Sequence, residues 1–222
     1  MINKQVQTAA DAVQGVRDGA VVLIGGFGTS GRPEQLVRGL LEIGCRDLTI
    51  VANNATAGND SVAELMSAGQ VRKVICSFPR GLYGRTVFED LYRTGKIELE
   101  LVPQGTLAER IRAGAAGIGG FFTKTAAGTD LANGKESREI DGELYIFEKP
   151  LRGDVALIKA KLGDRWGNLT YHRGARINNP TMAGAAPLCV AQVVSLVEVG
   201  DLDPEIVITP SIFVHRVLEV GA

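Results

Sequence analysis

The chain has 222 residues, and 45% of them are apolar, so it can enclose a substantial hydrophobic core. Its 24 basic and 25 acidic side chains are balanced, which argues against a protein that binds nucleic acid or a membrane surface through a basic excess. No stretch approaches the roughly 18 apolar residues of a membrane span, and the first residues lack the apolar core of a signal peptide. These features predict a globular cytoplasmic protein.

The three cysteines, Cys45, Cys76 and Cys189, lie far apart in the sequence and are odd in number. Neither a CxxC motif nor a histidine-rich segment accompanies them, so the sequence predicts no metal site. We interpret them as reduced, small apolar residues. The two histidines, His172 and His215, have no partner signature, and we interpret both as structural or interface residues.

Apolar runs alternate with helical patterns through the first half of the chain. Strands are predicted over 20–24, 47–52, 72–77 and 97–102, and helices over 6–16, 33–43, 61–69, 86–95 and 106–114. Gly44 fits the C-terminal cap of the second helix, and Ser61-x-x-Glu64 and Thr106-x-x-Glu109 have the form of capping boxes. The alternation predicts an α/β fold, with an open, mostly parallel sheet and helices on both of its faces.

The composition and periodicity of the sequence change after Ala113. Residues 114–142 are rich in glycine and threonine and lack a helical period, which predicts a long ordered loop with hairpin pieces such as 143–150. The α/β pattern then resumes, with strands predicted over 154–160 and 191–199 and a helix near 181–189. No repeat or linker interrupts the chain, so residues 1–222 are predicted to form a single domain.

The segment GGFGTSGRP, residues 25–33, follows the first predicted strand and contains the dinucleotide-binding spacing Gly26-x-Gly28-x-x-Gly31. An NAD site also needs an acid about 20 residues further on, at the end of the second strand. That strand ends in Asn53-Asn54 here, so an NAD-dependent oxidoreductase is a remote alternative. A glycine-rich turn between strand and helix exposes N–H groups that suit an anion or a ligand pressed against the backbone. A tight turn that only packs the helix on its strand remains the other interpretation.

Several longer stretches resemble one family. They are DGAVVLIGGFGTSGRP (18–33), the pair Asn53-Asn54, VPQGTLAERIRAG (102–114), GIGGFFTKTAAGT (117–129), GDRWGNLTY (163–171) and ITPSIFVHRV (208–217). Together they resemble the alpha, or A, chain of the family I coenzyme A transferases. Within that family, residues 71–80 and 95–105 are most similar to the branch that acts on 3-oxoadipate. Arg32, Lys124 and residues 173–183 depart from the usual family pattern.

The resemblance implies a ping-pong mechanism in which a glutamate carboxylate attacks an acyl-CoA thioester and becomes an enzyme–CoA thioester. The family carries that glutamate in its beta chain, in a Ser-Glu-Asn-Gly motif, and this sequence lacks the motif. We therefore expect a beta-subunit partner, in a heterodimer or heterotetramer. Acyl-CoA, with succinyl-CoA as the expected donor, is a substrate, and no permanent cofactor or metal is implied. Glu148 is the nearest alternative candidate for the nucleophilic carboxylate in this chain, and we interpret it as structural.

The resemblance also implies roles for individual residues. Gln104 follows a predicted strand at the edge of the sheet where ligands bind, so its amide can donate to an oxyanion; the alternative is a residue that caps a turn. The CoA-binding segment is expected at Gly25, Gly26, Phe27, Gly28, Thr29, Ser30 and Gly31.

The remaining candidates concern the substrate. Asn53 and Asn54 are expected to bind the pantetheine amides or the acyl group, unless they only form an Asx turn. Arg80 is the candidate for the second carboxylate of 3-oxoadipate, with Arg85 and Arg32 weaker candidates. Phe121 and Phe122 either exclude water from the thioester or belong to the core. A transferase of the acetate or acetoacetate type, and a non-catalytic acyl-CoA-binding protein, remain alternatives.

Overall fold

The computed structural model describes residues 2–81 and 84–221. The strands are β1 (Gln5–Val6), β2 (Val21–Ile24), β3 (Leu48–Asn54), β4 (Val71–Phe78), β5 (Glu98–Leu101), β6 (Phe121–Thr123), β7 (Ser137–Ile140), β8 (Glu143–Glu148), β9 (Val155–Asp164), β10 (Leu169–Thr170), β11 (Leu188–Val197) and β12 (Arg216–Glu219). The helices are α1 (Ala9–Val13), α2 (Glu34–Ile43), α3 (Ser61–Ser67), α4 (Val87–Arg93), α5 (Gln104–Ala116) and α6 (Asn179–Ala183).

The main sheet has the strand order β1-β12-β11-β9-β2-β3-β4-β5, and every pair along this path is parallel. Strand β10 runs antiparallel, alongside the end of β9. Strand β2 lies at the centre, where Leu23 is in register with Val51 on one side and Ala156 on the other. The prediction of an open, mostly parallel sheet is confirmed. The carboxyl ends of β2, β3 and β4 consequently lie side by side.

Hydrophobic cores cover both faces of this sheet. Successive side chains of β2 alternate between them, because Ile24 belongs to one core and Leu23 to the other. The first core contains residues of α1 to α4, such as Leu40 and Phe88. The second contains residues of α5 and α6, such as Ile111. Helices therefore pack on both faces, as predicted, and no helix in the described part of the chain is both long and apolar enough to span a membrane.

The segment after α5 forms a small sheet of its own. Strands β6, β8 and β7 pair antiparallel in that order, so the predicted loop contains more regular structure than its composition indicates. Phe122 packs edge-on against Phe147 with the ring centroids 5.3 Å apart, and the Arg138 guanidinium lies 4.5 Å from the centroid of the Phe122 ring. Phe122 of β6 thus makes side-chain contacts with both other strands of the small sheet.

Two predicted capping boxes are wrong, although α3 begins at Ser61 as predicted. Asp60, not Ser61, is the N-cap of α3, and its carboxylate accepts a hydrogen bond from the Ala63 N–H at 2.9 Å. Helix α5 begins earlier, at Gln104, so Thr106 is a buried residue of its first turn. A capping box forms instead at α4, between Thr86 and Glu89. In both cases the observed cap or first residue of the helix lies within two residues of the predicted cap. The spacing of residues in the sequence does not distinguish such close alternatives.

Helices near the two ends of the chain also differ from the prediction. Residues 5 and 6 pair with β12 instead of opening a helix, which leaves α1 with five residues. Cys189, predicted at the end of a helix, lies in β11, and α6 stops at Ala183. Gly44 caps α2 in the left-handed conformation as predicted, with φ of 73°.

All three cysteines are free and buried, in agreement with their interpretation as small apolar residues. Burial raises the pKa of the Cys76 and Cys189 thiols to about 12. Burial also raises the pKa of Cys45, whose thiol donates to the Val16 carbonyl at 3.2 Å. The thiolate form is therefore suppressed at all three positions near neutral pH.

Candidate active site

Residues 25–31, which we call the glycine loop, follow β2 and fold into a tight turn. The Phe27 N–H donates to the Ser30 carbonyl at 2.9 Å, and the Ser30 N–H donates to the Phe27 carbonyl at 3.0 Å. Gly26, Gly28 and Gly31 adopt positive φ angles of 101°, 58° and 72°. Residues other than glycine rarely adopt this backbone conformation. The turn therefore depends on these glycines.

The glycines differ in what surrounds them. A side chain at Gly25 would overlap Asn179, and one at Gly31 would lie 2.7 Å from the Ala175 carbonyl oxygen. A Cβ atom at Gly28 would have no neighbouring heavy atom within 4 Å. Gly25 and Gly31 thus permit close packing inside the protein, whereas Gly28 faces open space where a ligand could approach the backbone.

A continuous chain of amide groups joins this loop to the ends of β3 and β5. Gln104 Nε2 donates to Asn53 Oδ1 at 2.7 Å, and Asn53 Nδ2 donates to Asn54 Oδ1 at 2.7 Å. Asn54 Oδ1 also accepts the Gly28 N–H at 3.0 Å. We call these four residues the amide chain. The structure therefore brings together candidate residues from three separate segments of the sequence.

The amide chain has a defined direction. A backbone N–H can only donate, so the Gly28 N–H requires an oxygen from Asn54, and that oxygen also accepts from Asn53. Asn53 must then present its own oxygen to Gln104. Asn53 is buried, but Gln104 is exposed as the first residue of α5. A side-chain amide has two N–H groups, so Gln104 has a second donor beyond the one that Asn53 receives.

The expectation that the glycine loop offers its N–H groups to an anion is wrong for three of them. The N–H groups of Phe27, Gly28 and Ser30 already donate within the protein. Helix α2 starts only at Glu34, after Pro33, so the loop does not sit directly on the helix terminus. The loop is a tight turn whose open side is the face of Gly28.

Arg32 is buried and does not face solvent. Its side chain, 3% exposed, forms an ion pair with Asp60, which is also buried, and its Nη2 lies 3.5 Å from the Asn54 carbonyl oxygen. Asp60 in turn caps α3. Because a buried ion pair is costly to break, Arg32 is committed to holding the turn after β3, and its candidacy for a substrate carboxylate is not supported.

Arg80 lies at the same edge of the sheet as the amide chain. It is exposed and follows Phe78, the last residue of β4, which is in register with Asn54. A main-chain hydrogen bond from Thr86 lowers the pKa of the Glu89 carboxyl most, and the charge of Arg80 adds to that effect. The described contacts do not join Arg80 to the amide chain. Arg85, the other weaker candidate, forms an exposed ion pair with Asp90.

Sequence reasoning missed Asn179, the fully buried first residue of α6. Its Nδ2 donates to the Gly31 carbonyl at 3.0 Å and the Ala175 carbonyl at 2.7 Å, and its Oδ1 accepts the Lys159 N–H at 2.9 Å. Asn179 therefore ties the glycine loop to β9. The available signal was an Asn-Pro pair at the start of a short apolar helix, in a segment that departs from the family pattern.

Glu148 and His215 have structural surroundings. Glu148, the buried last residue of β8, forms an ion pair with Lys135 and has Arg110 Nε 3.9 Å away. His215 Nδ1 accepts the Cys189 N–H at 3.0 Å, and burial lowers its pKa, with a further contribution from nearby Lys4. The structural interpretation of both residues is supported by these contacts.

Comparison with known proteins gives a consistent result. Residues 6–220 match the sequence model of the family described as coenzyme A transferase. The A subunit of 3-oxoadipate CoA-transferase from Pseudomonas putida is 58% identical over 221 residues, covering 100% of this chain and 95% of that protein. The protein of the same name from Acinetobacter baylyi is 52% identical over 220 residues, covering 99% of this chain and 96% of the other.

A solved structure supports the fold. Glutaconate coenzyme A-transferase from Acidaminococcus fermentans superposes with a TM-score of 0.86 at 20% identity, covering 98% of this chain and 76% of that one. At this level of identity the likeness concerns the fold: the parallel sheet and its two helical layers.

Proposed function

Because the chain belongs to the coenzyme A transferase family, we propose that it is one of two kinds of subunit, the A type, in a heteromeric enzyme that moves CoA from succinyl-CoA to 3-oxoadipate. The acceptor acid is the one named in the two relatives that are 58% and 52% identical over nearly the whole chain. Both relatives are named as A subunits, which supports a second subunit here. Residues 1–222 act in this proposal as one domain.

The amide chain is the observation that carries the proposal. Acyl transfer develops negative charge on the thioester carbonyl oxygen, and a fixed donor aimed at that oxygen stabilises the transition state. Asn53 holds the Gln104 amide through a 2.7 Å hydrogen bond, and Gln104 is exposed at the carboxyl edge of the sheet. Gln104 is therefore proposed as the oxyanion donor, and Asn53 and Asn54 as the residues that position it and contact the acyl or pantetheine group.

The nucleophile is proposed to come from the partner. A glutamate carboxylate attacks the thioester carbonyl to form an acyl-glutamyl anhydride and CoA thiolate. The thiolate then attacks the glutamyl carbonyl, which releases the first acid and leaves a glutamyl–CoA thioester. The acceptor carboxylate reverses these steps and leaves as the new acyl-CoA. This sequence contains no Ser-Glu-Asn-Gly motif, so the chain supplies positioning and electrostatics rather than the covalent step.

The glycine loop is proposed as the CoA-contacting segment of this chain. The open face of Gly28 lets the pantetheine arm lie against the backbone next to Asn54, which receives the Gly28 N–H at 3.0 Å. No permanently bound cofactor takes part in the proposed reaction.

The deciding experiment is a CoA-exchange assay on this chain co-expressed with a beta chain that carries Ser-Glu-Asn-Gly. Succinyl-CoA serves as donor, and 3-oxoadipate, acetoacetate and acetate are compared as acceptors. We expect the highest kcat/KM with 3-oxoadipate. A preference for acetoacetate or acetate would assign the protein to that branch, and no exchange with any acid would contradict the transferase proposal.

A further inference from the structure

A groove of about 440 Å³ begins where the glycine loop ends, at Ser30 and Gly31. Its lining contains Lys159, Lys161 and Arg173, and no acidic residue. The whole chain has a formal net charge of −1, so three cations around one groove are a local concentration of positive charge. We call this feature the basic groove.

These cations are not committed to internal ion pairs. Within residues 2–81 and 84–221, Lys159, Lys161 and Arg173 take part in none of the salt bridges. Other basic residues near the sheet are used differently, as Arg32 and Arg110 pair with buried or half-buried carboxylates. The basic groove therefore keeps its charge available to an anion from outside the chain.

Besides the three cations, the lining contains Ser30, Gly31 and His172 together with small apolar residues. Ala160, Ala175 and Val194 contribute small aliphatic surfaces next to the cations. A site for a simple anion would not need apolar residues beside its cations. A ligand with phosphates and a flat aromatic ring would contact both the cations and the apolar residues. The combination fits a nucleotide better than a simple inorganic anion.

The segment that carries Arg173 is held in a fixed shape. Arg173 has a left-handed φ of 49°, a conformation that costs energy for a residue other than glycine and persists only when its surroundings impose it. Asn179 donates to the carbonyls of both Ala175 and Gly31, which ties this segment to the glycine loop. The basic groove is thus preorganised against the glycine loop.

We propose that the basic groove binds the phosphate-bearing adenosine end of coenzyme A, which rests on the proposed transferase function. Gly28 contacts the amide chain, and Ser30 and Gly31 line the basic groove, so the glycine loop connects the two features along one path that an extended ligand can follow. Its thioester then lies near Gln104, its phosphates meet Lys159, Lys161 and Arg173, and its adenine ring packs on the apolar lining.

The test uses the assembled two-chain enzyme with a Lys161→Gln, Arg173→Asn double variant. Both cations are lost, and Asn tolerates the left-handed backbone at position 173. The matched control is Arg93→Gln, Lys96→Gln, which removes two exposed cations at the far end of α4. Titration calorimetry measures the binding of CoA and of adenosine 3′,5′-bisphosphate, and steady-state kinetics compares succinyl-CoA with succinyl-pantetheine, which lacks the phosphates.

The double variant is expected to bind both nucleotides about tenfold more weakly than wild type and to raise KM for succinyl-CoA similarly, with KM for succinyl-pantetheine unchanged. The control should match wild type. Unchanged nucleotide affinity, or equal losses with both thioesters, would overturn the proposal. Dissociation of the two chains in the double variant on size-exclusion chromatography would also overturn it, because the cations would then serve the partner.

Binding of nucleotides is measured without any acceptor acid. An enzyme that binds CoA through the groove but transfers it to no 3-oxo acid would contradict the proposed function and still support the basic groove. The two proposals therefore fail separately.

Discussion

At the scale of single residues, the orientation of the amide groups in the candidate site depends on the backbone N–H of Gly28. The Gly28 N–H requires the oxygen of the Asn54 amide as its acceptor. The hydrogen bonds that follow then fix the orientation of the Asn53 and Gln104 amides as well. The NH₂ group of Gln104 is therefore oriented by hydrogen bonds between neutral amides. In the proposed reaction, an amide held in this way would need no reorganisation when the oxyanion forms.

Replacing Gln104 with alanine in the assembled enzyme should reduce kcat far more than it changes KM for succinyl-CoA. Loss of one oxyanion donor costs about 3 kcal/mol, or on the order of a hundredfold in rate. Steady-state kinetics with both substrates varied gives the two constants. Gln104→Glu should also be slow, because a carboxylate keeps the shape of the side chain but has no N–H to donate. An unchanged kcat in both variants would make Gln104 a structural residue.

Bulk at Gly28 should block CoA without unfolding the protein. Gly28→Asn suits the φ of 58°, and a Cβ atom at this position has no neighbouring heavy atom within 4 Å, so the melting temperature should change little. CoA affinity of the complex, measured by calorimetry, should fall at least about tenfold. The matched control is Gly44→Asn, at the C-cap of α2 with φ of 73°. Wild-type CoA binding by the folded Gly28 variant would contradict the proposed role of the loop.

Arg80 can be tested for recognition of a second carboxylate. Arg80→Ala should lower kcat/KM for 3-oxoadipate by about tenfold or more, as loss of a charged hydrogen bond of about 1.5–3 kcal/mol would do. Activity with acetoacetate, which has one carboxylate, should change little. Arg85→Ala is the control, because Arg85 is exposed nearby and already paired with Asp90. Equal losses with both acceptors would assign Arg80 to general architecture.

At the scale of elements, the glycine loop is anchored from two sides. On one side Asn54 accepts the Gly28 N–H, and on the other Asn179 of α6 donates to the Gly31 carbonyl. Arg32 and Asp60 add a buried ion pair between the end of the loop and the start of α3. The loop is therefore held by β3, α3 and α6 at once.

Loss of the α6 anchor should destabilise the fold. Asn179→Ala leaves the Gly31 carbonyl, the Ala175 carbonyl and the Lys159 N–H without that partner, and we expect a loss of about 3 kcal/mol in the free energy of unfolding. Urea unfolding followed by circular dichroism measures it. Asn178→Gly is the control, since it removes one long 3.4 Å hydrogen bond and keeps a backbone that glycine accepts. Equal stability of the two variants would argue against the anchoring role of Asn179.

The elements that sequence predicts well are those whose signal is local. Apolar runs identify the core of each long strand. The two Asn residues at the end of β3, and Gln104 shortly after β5, are recognisable as candidates from their place at strand ends. Asn179 was missed because its partner Gly31 lies 148 residues away, and nothing in either segment indicates the other. The predicted start of the first helix at Val6 is wrong for the same reason, since Val6 pairs with β12 and this pairing overrides local propensity. The predicted cap of α3 fails because Asp60 accepts the Ala63 N–H in place of Ser61, and that of α5 fails because the helix already begins at Gln104, without a side-chain cap.

On the scale of the whole molecule, the candidate site is open and chemically incomplete. The amide chain offers a donor and the basic groove offers cations, but the proposed mechanism needs a nucleophilic carboxylate that the sequence does not provide in a Ser-Glu-Asn-Gly motif. Glu148 is not a substitute, because it is buried beside Lys135 in the small sheet. The proposed reaction therefore requires a second chain at the carboxyl edge.

The purified chain alone should show no CoA transfer above background. Activity should appear when the beta chain is added, and it should saturate near a fixed molar ratio of the two chains. The assay is the succinyl-CoA exchange described above, and mass spectrometry verifies that the isolated chain carries no partner. Robust transfer by the isolated chain would contradict the two-chain proposal.

The position of β2 at the centre of the main sheet has a consequence for the order in which the protein folds. One neighbour of β2 is β3, which follows it closely, but the other is β9, and the Val21 N–H reaches the Asp154 carboxylate across 133 residues of sequence. Strands β2 to β5 can pair as soon as they leave the ribosome, yet they then present β2 as an unpaired edge until β9 is made. Contacts of such long separation slow folding and leave that edge exposed to other chains in the meantime. The strand that leads into the glycine loop therefore acquires its second neighbour only after β9 is made, and the Asn179 anchor of the loop becomes available only after synthesis has passed α6.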